Sequence, residues 1–179
     1  MIYLIIAAVA CLGLGFGLWS QNFNSAGPVS TGAYDVVFSS FTAPASINGA
    51  GFSVYQVDSH TCDISLNNLY PTCNPTFNFI LKDTGTIPAK ITDIKIDGTS
   101  IVSSGLTRDK DLDGDGKTDI TITVAGISTS GANSLITANN GTLSGTLTVN
   151  TWSKTPNGND ATANAGGSFT FEIDTAQNP

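Results

Sequence analysis

Leu66 to Ile96, LNNLYPTCNPTFNFILKDTGTIPAKITDIKI, is the stretch that decides the fold. Phe77, Phe79 and Leu81 alternate with Asn78, Ile80 and Lys82, and Ile87, Ala89 and Ile91 alternate with Pro88 and Lys90. A period of two marks a strand with one buried face. Asp83-Thr84-Gly85-Thr86 supplies a short polar turn between the two runs, with Gly85 free to take positive φ. Ile91 and Ile94 stand an odd number of residues apart, so the inward face must switch near Thr92-Asp93, which predicts a β-bulge.

The same reading extends in both directions. Candidate strands run over Leu18–Asn24, Ala33–Thr42, Phe52–Val57, Thr61–Asn67, Thr76–Lys82, Ile87–Ile96, Asp119–Val124, Leu143–Trp152 and Ser168–Asp174. Turn pairs separate them: Asn48-Gly49, Asp97-Gly98, Asn140-Gly141, Asn157-Gly158 and Gly166-Gly167, together with Ala26-Gly27-Pro28. Such spacing predicts an all-β fold, an antiparallel β-sandwich of jelly-roll-like type, preceded by a hydrophobic N-terminal segment. Residues 1–17 form the signal peptide or anchor, 18–30 an N-terminal strand and linker, and 31–179 the sandwich.

Charged residues make up only 12% of the chain, and 14 acidic against 7 basic side chains give a net charge of −7. The bases are too few and scattered for a phosphate-binding footprint, which disfavours a nucleic-acid partner. Ser, Thr, Asn and Gly fill the polar positions, a surface common on secreted β-proteins. Met1 to Leu18, MIYLIIAAVACLGLGFGL, carries no charge. Its roughly 18 apolar residues lie between a signal-peptide core and a minimal membrane span. Gly15 and Gly17 offer a small-residue cleavage site, whereas the missing Lys/Arg n-region favours a retained helix. Either outcome implies export to the cell surface or beyond, with membrane contact only in transit or through residues 1–18.

The segment LWSQNFNSAGPVSTGAYDVVF (Leu18–Phe38) and the YPT…FNFILKDTGTIPAKITDIKI run resemble the TasA/camelysin family of secreted fibre-forming β-proteins, which includes archaeal bundling pilins. The resemblance covers the N-terminal forty residues and the central strands and fades after Ile96. It implies a homopolymeric extracellular filament, a pilus or biofilm-matrix fibre, with neighbouring filaments as further partners in bundles. It also implies growth by donor-strand complementation. In this chain the donated strand is Leu18, Trp19, Ser20, Gln21, Asn22 and Phe23, with Trp19 and Phe23 on one face. Two alternatives stand beside it: a type IV-like pilin with a retained apolar helix, and a monomeric cell-surface adhesion or calcium-binding module.

Asp109 to Asp119, DKDLDGDGKTD, is the sharpest chemical motif. With Asp111 at position 1, Asp113 falls at 3, Asp115 at 5, the Lys117 carbonyl at 7 and Asp119 at 9, with Gly116 at 6. That is the oxygen-ligand spacing of a structural Ca²⁺ loop, although Ile122 stands where an EF-hand has its bidentate Glu. The alternative is a solvated acidic hairpin tip. Cys62 and Cys73 flank a predicted corner and are read either as a disulfide or as two free thiols. Asn140-Gly141-Thr142 is an N-glycosylation sequon at Asn140 and equally a hairpin turn. His60 is the single histidine, which excludes an HExxH zinc site, and no Ser-His-Asp pattern surrounds it, so no enzyme is expected.

Overall fold

The computed structural model describes residues 32–152 and 165–178, which belong to one unit, Gly32–Pro179. The signal or anchor expected at 1–17 and the strand expected at Leu18–Phe23 lie outside the described residues. Among the described residues eleven strands follow one another: β1 (Val36–Thr42), β2 (Gly51–Gln56), β3 (Thr61–Leu69), β4 (Thr76–Asp83), β5 (Ala89–Ile96), β6 (Thr99–Ser100), β7 (Thr107–Lys110), β8 (Ile120–Ala125), β9 (Leu135–Ile136), β10 (Thr142–Thr151) and β11 (Ala165–Gln177). A 3-10 turn, Ala132–Ser134, precedes β9. None of the helices among the described residues is long and apolar enough to cross a membrane.

Two antiparallel sheets pack face to face. One has the order β1-β4-β10-β8-β7, the other β2-β3-β11-β5-β6, with β9 also pairing β5. The sandwich follows the alternation in the sequence: Phe77, Phe79 and Leu81 of β4 are buried while Asn78 and Ile80 are exposed. Between the sheets Phe171 of β11 meets Phe38, Phe41 and Phe79 at centroid separations of 5.9, 5.9 and 5.2 Å. Burying aromatic rings of this size contributes about 2–3 kcal/mol each.

Several local expectations hold. Asn48-Gly49 and Asp97-Gly98 both have two successive positive φ angles (46° and 91°, 49° and 68°), the backbone of a tight hairpin turn. The β-bulge falls at Thr92: Asp93 pairs with Asp174 and Ile91 with Thr175, leaving Thr92 unpaired and exposed between them.

Others are corrected. The 83–86 turn does not form a hairpin; it carries the chain from β4 in one sheet to β5 in the other. Gly85 there is not needed for positive φ. Its missing Cβ makes room for the Ala33 carbonyl oxygen, which would stand 2.4 Å away. Gly166-Gly167 is no turn either, since both residues lie inside β11 beside a register shift.

The disulfide expected between Cys62 and Cys73 is absent, and both are free, buried thiols. Cys62 sits at the start of β3, and Cys73 lies beyond its far end, where its amide donates to the Tyr70 carbonyl (3.1 Å). From Cys62 to Leu69 an extended strand climbs about 23 Å, several times the reach of a disulfide. Asn67 and Asn68 of the expected corner belong to β3, and the turn comes after its end, at Pro71-Thr72. Burial pushes the Cys62 thiol up to about 12, with the charges of Asp58 and Asp63 adding to it, and burial raises Cys73 as well.

Candidate metal centre

The acidic motif is the connection of a hairpin. β7 pairs β8 from Thr107↔Thr123 to Lys110↔Ile120, and the Asp119 amide closes the loop on the Lys110 carbonyl (3.0 Å). Loop glycines Gly114 and Gly116 take φ of 83° and 85°, which lets the backbone turn its amides onto the carboxylates. Asp111 accepts from the amides of Gly114 and Gly116, both at 2.7 Å, on its two oxygens. Asp113 accepts from the Asp115 amide (3.0 Å), and Asp115 from the Lys117 amide (2.8 Å) and ammonium (3.1 Å).

The result brings three of the expected ligands together. Carboxylate oxygens of Asp111, Asp113 and Asp115 lie within 4.8 Å of one another. One Ca²⁺ with oxygens at about 2.3–2.6 Å fits that span, and an all-oxygen donor set suits a hard cation. The Gly114 and Gly116 amides hold the Asp111 carboxyl below its ordinary range. Lys117 sits in the same loop, and its carbonyl is the fourth expected ligand.

Asp119, the fifth expected ligand, is the unusual one. It is 3% exposed, and its Oδ2 accepts from the Leu112 amide (2.6 Å) and the Asp113 amide (3.3 Å). Its Oδ1 is buried with no hydrogen-bond partner. Burial pushes this carboxyl upward, and the charges of Asp113 and Asp111 add to it. Asp119 lies outside the group of three carboxylates that converge within 4.8 Å, and a desolvated carboxylate oxygen without a partner is costly unless a cation compensates it. Asp109, by contrast, stands apart on β7 and accepts from the Thr121 hydroxyl (2.6 Å).

Comparison with protein-family models, curated proteins and solved structures gave no match for this chain.

Two residues that sequence reading passed over tie the loop to the rest of the sandwich. Lys110 reaches across to the other sheet, where its ammonium meets Asp97 Oδ2 (2.6 Å) and the Ser168 carbonyl (2.8 Å). Leu112 packs against the core, and at Gly167 of β11 an added Cβ would come within 2.8 Å of its methyl. The signal for Lys110 is the short charged strand TRDK immediately ahead of the loop, and for Leu112 it is a lone apolar residue among the loop's carboxylates.

The remaining site residues are separate. Asn140 is exposed, in the loop before β10, with φ 73° and its amide on the Asp83 carbonyl (2.8 Å). His60 lines an open groove of about 720 Å³ with Tyr34, Asp58 and Glu172. Its Nδ1 meets the Ser59 hydroxyl (2.8 Å), while Asp58 accepts from the His60 backbone amide (2.7 Å) rather than from the imidazole. Trp152 is 38% exposed and donates its indole N–H to Thr121 Oγ1 (2.9 Å).

Proposed function

We propose that this chain is the structural subunit of an extracellular filament. A neighbour's N-terminal segment, Leu18–Phe23, joins subunits by strand addition, and calcium in the 111–119 loop braces each one. The observation that supports it best is the clasp. The loop is flanked by Lys110, which bonds to the opposite sheet, and holds Leu112, which wedges against β11. A cation drawing Asp111, Asp113, Asp115 and Asp119 together fixes the loop backbone that follows Lys110 and carries Leu112. Holding two sheets together at one edge serves a subunit that transmits tension.

Trp19→Ala and deletion of residues 18–26 test the reading by electron microscopy of assembled material. Each variant is expected to keep the sandwich, judged by its melting transition, and to lose filament growth. Burying one large aromatic contributes about 2–3 kcal/mol, so Trp19→Ala weakens each junction by roughly thirtyfold or more. Normal filaments from the deletion variant refute strand donation and leave the monomeric surface module as the better reading.

A further inference from the structure

We infer that β2 is a self-association edge, at which a second copy of this chain adds its own β2 antiparallel about a twofold axis through Val54. This contact is separate from the N-terminal segment and goes beyond the filament reading.

The sheet edges differ in how they are guarded. β1 has a register shift between Phe38 and Ser40, β6 and β9 are two residues each, and β7 is TRDK, nearly all charge. Bulges, brevity and charge all discourage pairing with another chain. β2, GFSVYQ, has none of them: its register against β3 is unbroken from Gly51↔Asn67 to Gln56↔Cys62. The neutrality extends well past the strand, since residues 36–57 contain no Asp, Glu, Lys, Arg or His. On a chain of net charge −7, most self-contacts set acid against acid, and this side avoids that cost.

Backbone phase then selects the register. The Val57 amide donates to Thr61 in the turn to β3 (3.0 Å), so by alternation the amides of Ser53 and Tyr55 face β3. Those of Phe52, Val54 and Gln56 face away, and among the described residues no strand lies on that side. Phe52 and Val54 point inward opposite Leu66 and Ile64 yet remain half-buried, because among the described residues no strand flanks them on the outer side. The outward amides are symmetric about Val54. A second β2 therefore exchanges hydrogen bonds as Val54 with Val54 and Phe52 with Gln56, and covers the open flanks of Phe52 and Val54. Ser53 of one copy comes opposite Tyr55 of the other, and no charge faces a charge. The two sheets become one.

Cysteine pairing in the full chain tests this register. Ser53 is exposed and Tyr55 is 71% exposed, both on the outer face, so Ser53→Cys and Tyr55→Cys leave the core alone. In the proposed register these two positions form a non-hydrogen-bonded pair with Cα atoms about 4.5 Å apart, within disulfide reach. Mixing the two variants under mild oxidation should give a linked dimer, while each variant alone should not. Val54→Pro removes an outward amide without touching the β3 ladder, an edge position that proline tolerates. In sedimentation velocity it should raise the dimer dissociation constant roughly tenfold or more. The link should survive deletion of residues 18–26, which separates this contact from strand donation. The inference is overturned by a chain that sediments as a monomer at every concentration, or by each variant linking to itself as well as to the other. Linking of Tyr55→Cys to Gln21→Cys also overturns it, because the N-terminal segment then occupies the edge.

Discussion

Chelation should loosen the sandwich, and one residue makes the effect diagnostic. A ligand that binds only the folded state stabilises it by RT ln(1 + [L]/Kd), about 2.7 kcal/mol at a hundredfold excess over Kd. For a chain of this size about 2–4 °C of melting temperature accompanies each kcal/mol. EDTA should therefore lower Tm by about 5–11 °C, and calorimetric titration should find one calcium per chain. Asp113→Ala with Asp115→Ala removes two of the three oxygens that lie within 4.8 Å of one another, and should abolish the shift. Asp119→Asn should do something else. Its carboxylate is buried with Oδ1 unpartnered, so the neutral amide relieves a desolvated charge when no cation is present. The variant should melt higher than the parent in EDTA and lower than the parent in calcium. A parent whose melting point ignores chelation refutes the metal reading. So does an Asp119→Asn variant that melts below the parent in EDTA, because Oδ1 is then not an unpaid charge.

Both thiols should label only after unfolding, and the intact mass should match the dithiol form; native labelling refutes their burial. An unfolded thiol loses its proton near 9, whereas Cys62 holds its proton to about 12. The folded state therefore binds the extra proton, and stability is full below pH 9 and falls as pH rises towards 12. The slope reaches up to about 1.4 kcal/mol per pH unit, and Cys62→Ala should flatten it in alkaline urea titrations. Gly145→Ala puts a Cβ 2.3 Å from the buried Phe79 ring and should cost about 1–3 kcal/mol by urea unfolding. Adding Phe79→Leu should then cost less than it does in the parent, and strict additivity refutes the clash.

Strands long enough to show a period were legible, and short ones were not. β4, β8, β10 and β11 present three or more apolar side chains on one face, and their expected spans agree with the structure to within a few residues. β6 and β9 are too short for any period, and β7, TRDK, carries charge because it forms an edge beside the acidic loop. Sheet membership was invisible for a different reason. A turn such as 83–86 has the same composition whether it closes a hairpin or crosses between sheets. The deciding contacts here, with Ala33, Asp35 and Gly141, come from distant parts of the chain. The cysteines failed in the same way. Phase correctly put Cys62 inward, but phase says nothing of distance along a strand that ran two residues further than expected, to Leu69.

At the acidic loop the two halves of the argument came from different sources. Ligand spacing alone gathered Asp111, Asp113 and Asp115, because local Asx-type bonds to Gly114, Gly116, Asp115 and Lys117 shape the turn within the loop itself. Asp119 obeys no such local rule. It shares the outward phase of Thr121 on β8, so alternation predicts a solvated carboxylate, and in the structure it is 3% exposed. The loop backbone has folded over it, and the amides of Leu112 and Asp113 point at one oxygen only. Position 12, where another calcium loop would supply its second anchoring carboxylate, is Ile122, fully buried in the core. The chain thus lacks an acidic group at the far end of the loop and has one buried at position 9, next to the first core residue of β8. In the proposed site, a cation that takes Asp119 as a ligand beside Asp111, Asp113 and Asp115 is tied through it to Ile120 and the strand behind it, so its removal is expected to reach the stability of the whole sandwich rather than the loop alone.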